Sequence, residues 1–322
     1  MTLKKAHVVL AAASLLATSA ALAAWPERPV KIIVPAAAGS SPDILTRLFG
    51  NELAKKLNQP VVVENRPGAA GNIGMQALMT AAPDGYTLAY GNNATLTTNE
   101  FLFSKLPYDP ARLEPIALLV RTPSVLVVSA SSPIKSVREL ISLSKQSANK
   151  QFSFGSGGTG TSGHLAAELM KTQTGMRGQH IPYKGAPQAM NDLMGGNIEF
   201  MFDNMASAMP NVTGGKLRAL AVTTKERSKV YPDIPTMDEA GVPGFEITAW
   251  GGFMAPPNTP QDIVLRINKD LNDILKDPRT LQQLNQLAFM PMGGTPAQLR
   301  ELISTERVKW GEVVRQSGAK ID

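Results

Sequence analysis

The sequence predicts an α/β chain folded as two lobes, joined by a hinge of two crossing strands, with a cleft between them. Three observations carry that prediction. Strand-like runs alternate with helical patterns along most of the 322 residues, the signature of strands covered by helices. Two long apolar β runs, within "IALLVRTPSVLVVSAS" and "FEITAWGGFMAPP", stand where the chain would pass between lobes. Two strand-to-helix loops rich in small residues, 36–43 and 155–163, fall one in each half.

The elements follow in order. "VKIIV" (30–34) reads as a buried strand. A helix starts beyond it, with Ser41 as N-cap, Pro42 at the first helical position and Asp43 in the first turn. Leu45, Leu48, Phe49 and Leu53 give that helix one apolar face. "QPVVVENRPG" is a second strand, "NIGMQALMTAAPDG" a helix closed by a turn, and "YTLAYGNN" a third strand. Such alternation predicts a mostly parallel sheet. A pair of β runs flanks Pro123, and "SVRELISLSK" is a helix whose Ser136 and Glu139 form a capping box. The glycine loop and its helix come next. A helix stopped by Gly195-Gly196 then leads to a strand with Asp203 at its C-terminal end, and "KLRALAVTT" is another strand. Two amphipathic helices close the chain, each opened by Thr-Pro: 259–276, and from Thr295 onward with Gln298 completing a capping box. The chain is expected to leave lobe one near 125–131 and return near 246–252. Lobe one is therefore 24–128 with 249–322, and lobe two is 129–248.

Residues 1–23 read as a secretory signal: a basic Lys4-Lys5, a short apolar run, and "ALA" as a cleavage site with Ala24 as the alternative end. Export to the periplasm follows as an expectation. The sequence contains no cysteine, so neither a lipidated Cys nor a disulfide is possible. The formal net charge of +6 falls to +4 without Lys4 and Lys5. Basic residues are dispersed and only 6% of residues are aromatic, which argues against a nucleic-acid surface. With no cysteine and two histidines after the signal, His164 and His180, a transition-metal site is not expected, nor is any cofactor.

Gly155, Gly157 and Gly160 are spaced as G-x-G-x-x-G. A dinucleotide site wants an acid about 20 residues further on, yet no Asp or Glu lies between Glu168 and Asp192. A phosphate loop wants a lysine, and Thr161-Ser162 follow instead. The geometry still suits an anion, because a helix start offers free N–H groups and the positive end of a dipole. Loops 36–43 and 155–163, one per lobe, would suit a ligand with a carboxylate at each end. His164 and Ser162 lie two apart at a helix start, so their side chains diverge, and the expected reading of His164 is a packed or a surface side chain. The methionines at 190, 194, 201, 205 and 209 read as core filling. Tyr183-Lys184 reads as a turn with a solvated lysine in preference to a ligand contact.

"QPVVVENRPGAAGNIG", "APDGYTL", "LPYDP", "IPYKG", "FMFDNMASAMPNVTGGKLRALAVTTKERS", "PDIPTMDEAGVPGFE" and "WGGFMAPPNTP" together resemble the Bug (TctC-like) periplasmic solute receptors of tripartite tricarboxylate transporters. The resemblance covers essentially everything after the signal. It implies a two-lobe periplasmic-binding-protein fold, type II-like, that closes on a small organic acid. It also implies that backbone groups and ordered waters of the first loop hold the proximal carboxylate. On this resemblance the ligand-binding residues are Ala38, Gly39, Ser40, Ser41 and Asp43 in the first loop, and Asn92 and Asn93 in a third loop. Lobe two contributes Ser156, Gly157, Thr159, Thr161, Ser162 and Asp203. The family's aromatic and second proline are Ala36 and Ala37 here, and its second glycine is Ser40. The small residues leave room for a larger ligand, or neighbours fill the gap.

The implied function is a non-enzymatic receptor, expected as a monomer, that delivers a mono- or dicarboxylate to membrane permease subunits. A ligand-loaded partner of a membrane sensor kinase is the alternative. An exported hydrolase lacks a plausible nucleophile and base.

Overall fold

The computed structural model describes residues 25–146 and 152–317; the expected signal segment lies outside them. β1 (Val30–Val34) is flanked in parallel by β2 (Val61–Asn65) and β3 (Thr87–Asn92). α1 (Ser41–Leu57) and α2 (Asn72–Met79) connect these strands. α1 buries Leu45, Phe49 and Leu53 against β1 in the first core, as its 3.6-residue periodicity requires. Its N-cap is Ser40, one residue earlier than the sequence suggests, because Ser40 turns its hydroxyl back to the Ala37 carbonyl at 2.6 Å. A wide helical turn over 94–98 and the short α3 (Asn99–Leu102) follow β3.

β4 (Glu114–Ser129) is one 16-residue strand, where the sequence suggests two runs. Up to Pro123 it pairs antiparallel with β9 (Thr248–Ala255). From Ser124 it pairs instead with β7 (Phe200–Asn204) and β8 (Leu217–Val222). Pro123 has no N–H to donate, so it stands where the ladder changes partners. Thr223 ties the crossing: its hydroxyl accepts the Ser124 N–H and donates to the Ile247 carbonyl. β5 (Ser153–Ser156) lies parallel to β7 and to β6 (Gln179–Pro182). The whole sheet runs β2-β1-β3-β9-β4-β7-β5-β6, with β8 and the short β10 (Met290–Pro291) attached to β4. It is mixed rather than mostly parallel, because β4 and β9 carry the chain between lobes in opposite directions.

The helices of lobe two are α4 (Val137–Gln146), α5 (Ser162–Thr174), α6 (Ala186–Met194) and α7 (Met205–Thr213). Their core gathers Leu126, Phe154, Leu165, Phe200 and Phe202. Met190, Met201, Met205 and Met209 fill a neighbouring core. α8 (Gln261–Ile274) and α9 (Pro278–Gln286) return to lobe one. α10 (Pro296–Ser317) serves both lobes: Leu299 packs with Ile33 and Met75, whereas Trp310 packs in the core of Leu126 and Phe154. Glu306 accepts hydrogen bonds from the indoles of both Trp310 (2.7 Å) and Trp250 (3.3 Å), linking β9 to α10.

The lobes touch away from the hinge. A side chain on Gly160 would overlap Leu102 of lobe one, and a Cβ on Gly185 would stand 2.6 Å from the Cβ of Ala37. No helix among the described residues is long and apolar enough to cross a membrane.

Candidate ligand-binding site

A cavity of about 430 Å³ lies between the lobes, within the range of small-molecule sites. The crossing strands supply Thr122, Ala249 and Trp250 to its wall, with Tyr90 of β3 and Phe202 of β7. Loops at the C-terminal ends of β1, β2, β3, β5, β6 and β7 complete it.

The first loop is held from behind. Asp43 is only 4% exposed. Its Oδ2 accepts the Gly39 N–H at 2.9 Å, and its Oδ1 accepts the Asn65 amide at 2.9 Å and the Arg47 guanidinium at 3.0 Å. Burial pushes this carboxyl up, but the hydrogen bonds from Arg47, Gly39 and Asn65 outweigh it and hold it below the usual range. Asp43 therefore does not line the cavity, and neither do Ala38 and Gly39. What the loop presents is Ala36, Ala37, Ser40 and Ser41 at the start of α1.

The glycine loop is held by a different chemistry. Thr161 caps α5 and donates its hydroxyl to the Gly158 carbonyl at 2.8 Å. The Gly160 N–H donates to His164 Nδ1 at 3.0 Å, which leaves the proton of that ring on Nε2. His164 stacks on His180 with centroids 4.0 Å apart, and His180 Nε2 lies 2.7 Å from Ser156 Oγ. Burial lowers His164 to about 4, helped by Lys171. Burial lowers His180 to about 3, helped by His164 and Lys171. Both rings are thus neutral supports at pH 7. Ser156 is fully buried in this support and does not reach the cavity. Gly157, Thr159, Thr161 and Ser162 do.

Asn92 and Asn93 also line the cavity. Asn92 closes its own turn: its Oδ1 accepts the Thr95 N–H at 3.0 Å, and its N–H donates to Thr95 Oγ1 at 3.1 Å. Asn93 is 2% exposed, and its side-chain Nδ2 has no partner. Asp203 stands at the end of β7, where its Oδ2 accepts the Ser207 hydroxyl. Burial raises its carboxyl to about 6, against the hydrogen bonds from Ser207 and Asn204. Among the described lining residues only Asp203 and the exposed Lys184 carry charge.

Three parts of the wall stand outside the ligand-binding set expected from the sequence. One is 67–71, where Ala69 and Ala70 are left-handed at φ 46° and 53°, a strained backbone braced by the Asn99 amide on the Ala70 carbonyl. "RPGAAG" is a strand-to-helix connection like 36–43 and 155–163, and that likeness is the signal the sequence carries. The second is 182–186, which includes Tyr183 and Lys184; it leads into α6, whose N-cap is Gly185. The third is the hinge itself, through Thr122 and Trp250. Among the described residues no group of three or more His, Cys, Asp or Glu could hold a metal ion.

Three helix starts open on the cavity: Ser41 of α1, Ser162 of α5 and Ala186 of α6 all line it. The loops before them pack together, since a Cβ on Gly185 would stand 2.6 Å from that of Ala37 and one on Gly157 would stand 3.0 Å from the Ala186 nitrogen. First-turn N–H groups have no acceptor within their own helix, so these starts offer donors and positive dipole ends to an anion.

Known proteins share this architecture. Residues 45–319 match the family described as tripartite tricarboxylate transporter family receptor. Protein BugT of Bordetella pertussis is 35% identical over 299 residues, covering 92% of this chain and 91% of its own length. The R. palustris protein Rpa4515, solved with adipate, superposes with a TM-score of 0.90 at 34% identity, covering 92% of this chain and all of that one. MatC (Rpa3494) of Rhodopseudomonas palustris, solved with malate, gives a TM-score of 0.85 at 32% identity, covering 90% and 100%. With its two-lobe fold, its interlobe cavity and these matches along almost its whole length, the chain belongs to the Bug/TctC family of solute-binding receptors, which are not enzymes.

Proposed function

We propose that the protein is an extracytoplasmic receptor that closes on the carboxylate of a small organic acid, as a monomer, and delivers it to membrane permease subunits. The observation that carries this reading is the interlobe cavity onto which the starts of α1, α5 and α6 open, with no arginine in its lining. Backbone N–H groups there hold the carboxylate, with the hydroxyls of Ser40, Ser41, Thr159, Thr161 and Ser162 around it. Gly157 leaves the space, while Asp43 and Ser156 fix the two loops from behind. The acids bound in Rpa4515 and MatC support the ligand class, and the family description supports the transporter partner.

A thermal-shift and calorimetric screen of organic acids tests it. A ligand at a hundred times its dissociation constant adds ~2.7 kcal/mol of stability. Binding should fade below about pH 4, where the acid itself protonates. Equal binding of an acid and its fully amidated form would overturn the mechanism.

A further inference from the structure

We infer that the sheet floor of the cavity holds a second contact for the ligand: the Tyr90 hydroxyl, with Thr122 beside it, binds an oxygen that the acid carries in addition to the carboxylate at the helix starts. This rests on the receptor reading above and deepens it, since it makes the ligand an oxygenated acid rather than a plain one.

A buried polar atom without a hydrogen-bond partner is either sealed behind protein atoms or open to a cavity. Asn93 Nδ2 is of the first kind. The hydroxyls of Tyr90 and Thr122 are of the second. The two residues are only 5% and 2% exposed, and both line the interlobe cavity. Among the described residues neither hydroxyl has a protein partner, and neither oxygen is sealed. Burial alone raises the Tyr90 phenol above its ordinary range, with no hydrogen bond or charge contributing. Buried polar groups are nearly always hydrogen-bonded, so both hydroxyls call for a partner that enters the cavity.

Sheet register puts the two on one face. Tyr90 of β3 pairs with Phe253 of β9, and Asn92 with Gly251. Thr122 of β4 pairs with Ala249 of β9. Phe253, Gly251 and Ala249 alternate along β9, so they and their partners point the same way. Gly251 is what admits the phenol, because a Cβ there would overlap the Tyr90 oxygen. The hydroxyl therefore stands over β9, one step along the strand from the Ala249–Thr122 pair, and diagonal neighbours of this kind lie about 7–8 Å apart. The charged lining residues, Asp203 and Lys184, both lie outside β3, β4 and β9. A hydroxyl donates and accepts, so this floor suits a second carboxylate or a hydroxyl of the ligand. A methyl group or a ring edge in the same place would leave both side chains unsatisfied. A site built to hydrogen-bond a group rejects the analogue that lacks it.

The test uses acids of one length that differ at the far end: butyrate, 4-hydroxybutyrate and succinate, then hexanoate, 6-hydroxyhexanoate and adipate. In calorimetry at pH 7.5, the tightest oxygenated member of each set that binds should exceed the plain acid by about tenfold or more. Tyr90→Phe removes one oxygen and keeps the ring. It should weaken that oxygenated acid about tenfold and leave the plain acid within about twofold. Thr122→Val should act in the same direction with a smaller loss. Whichever of hydroxy acid and diacid loses more to Tyr90→Phe is the group the floor is built for. Without ligand, Tyr90→Phe should melt no lower than the unsubstituted protein, because no protein hydrogen bond is lost. A plain acid that binds as tightly as its oxygenated counterparts would overturn the inference and leave the receptor reading standing. So would an unchanged ratio in Tyr90→Phe, or a lower melting temperature of that variant without ligand. If none of these acids binds, the inference falls, and the wider acid screen decides the receptor reading separately.

Discussion

The first loop and the glycine loop each bring a helix start to the cavity, but they are braced in opposite ways. In lobe one an ionised acid, Asp43, takes a backbone N–H from Gly39 and is itself held by Arg47 and Asn65. In lobe two a neutral imidazole, His164, takes a backbone N–H from Gly160 and is held by stacking on His180. Either device fixes a turn that no side chain of the turn could fix alone. The difference lies in packing and in response to acid. The first loop is solvent-backed through an Arg47 that is half exposed, whereas the second rests on a buried aromatic stack of His180, His164 and Phe154.

Glycine substitutions should sharpen the contrast most. A Cβ on Gly163, where α5 crosses β7, would overlap the Phe202 carbonyl oxygen, whereas one on Gly39 would meet nothing closer than 4.0 Å. Gly163→Ala should cost on the order of 3 kcal/mol through forced separation of helix and strand. Gly39→Ala should cost only about 1–2 kcal/mol, for its left-handed φ of 76°. Urea denaturation of the two variants should rank them in that order.

Removing the brace of lobe one comes next. Asp43→Ala leaves the Gly39 N–H and the Asn65 amide without an acceptor, and should cost about 2 kcal/mol. Acid affinity should fall with it, read by calorimetry, although Asp43 touches no part of the cavity.

Acid should then separate the lobes. His164 and His180 are depressed in the folded state, so their contribution is complete above the unfolded value near 6.5 and is lost as pH falls toward about 4 and about 3. Asp43 is also depressed, so its contribution persists until pH falls through the ordinary carboxylate range. Asp203 runs the other way: raised to about 6, it favours folding below 3.8 and loses that contribution as pH rises through 6. Between pH 6.5 and 5, His164 alone should remove on the order of 1–2 kcal/mol. His164→Asn, which retains an acceptor for Gly160, should flatten that part of a melting-temperature profile.

Much of this comparison was legible in the sequence, and some of it could not be. The starts of α1 and α5 and the capping boxes at Ser136 and Thr295 are local features, set by residues within four positions. The antiparallel crossing is different, because a buried apolar run reads the same in either direction. The aim of Asp43 is decided by Asn65, 22 residues away. The support under the glycine loop needs His180 brought onto His164 by sheet pairing of β5 with β6. The left-handed alanines at 69 and 70 carry no residue-type signal, since alanine rarely adopts that backbone.

The smallest effects belong to hydroxyls of the two loops that line the cavity. If backbone N–H groups carry the anion, Ser40→Ala and Ser162→Ala should each change acid affinity by only ~0.5–1.5 kcal/mol. A loss of a hundredfold or more in either would shift the weight from backbone to side chain.

The link from Trp250 through Glu306 to Trp310 makes the receptor its own optical reporter. The chain has three tryptophans, and only Trp250 lines the cavity. An acid entering the site changes the surroundings of that indole, while Trp25 beside Tyr86 gives a constant background. Occupancy should be readable as a change in intrinsic emission, without any label, and Trp250→Phe should remove it. Because Trp310 shares the same carboxylate oxygen on a helix packed into both lobes, its emission should respond to any change in the angle between the lobes. Comparing Trp250→Phe with Trp310→Phe should then separate the arrival of the acid from closure around it.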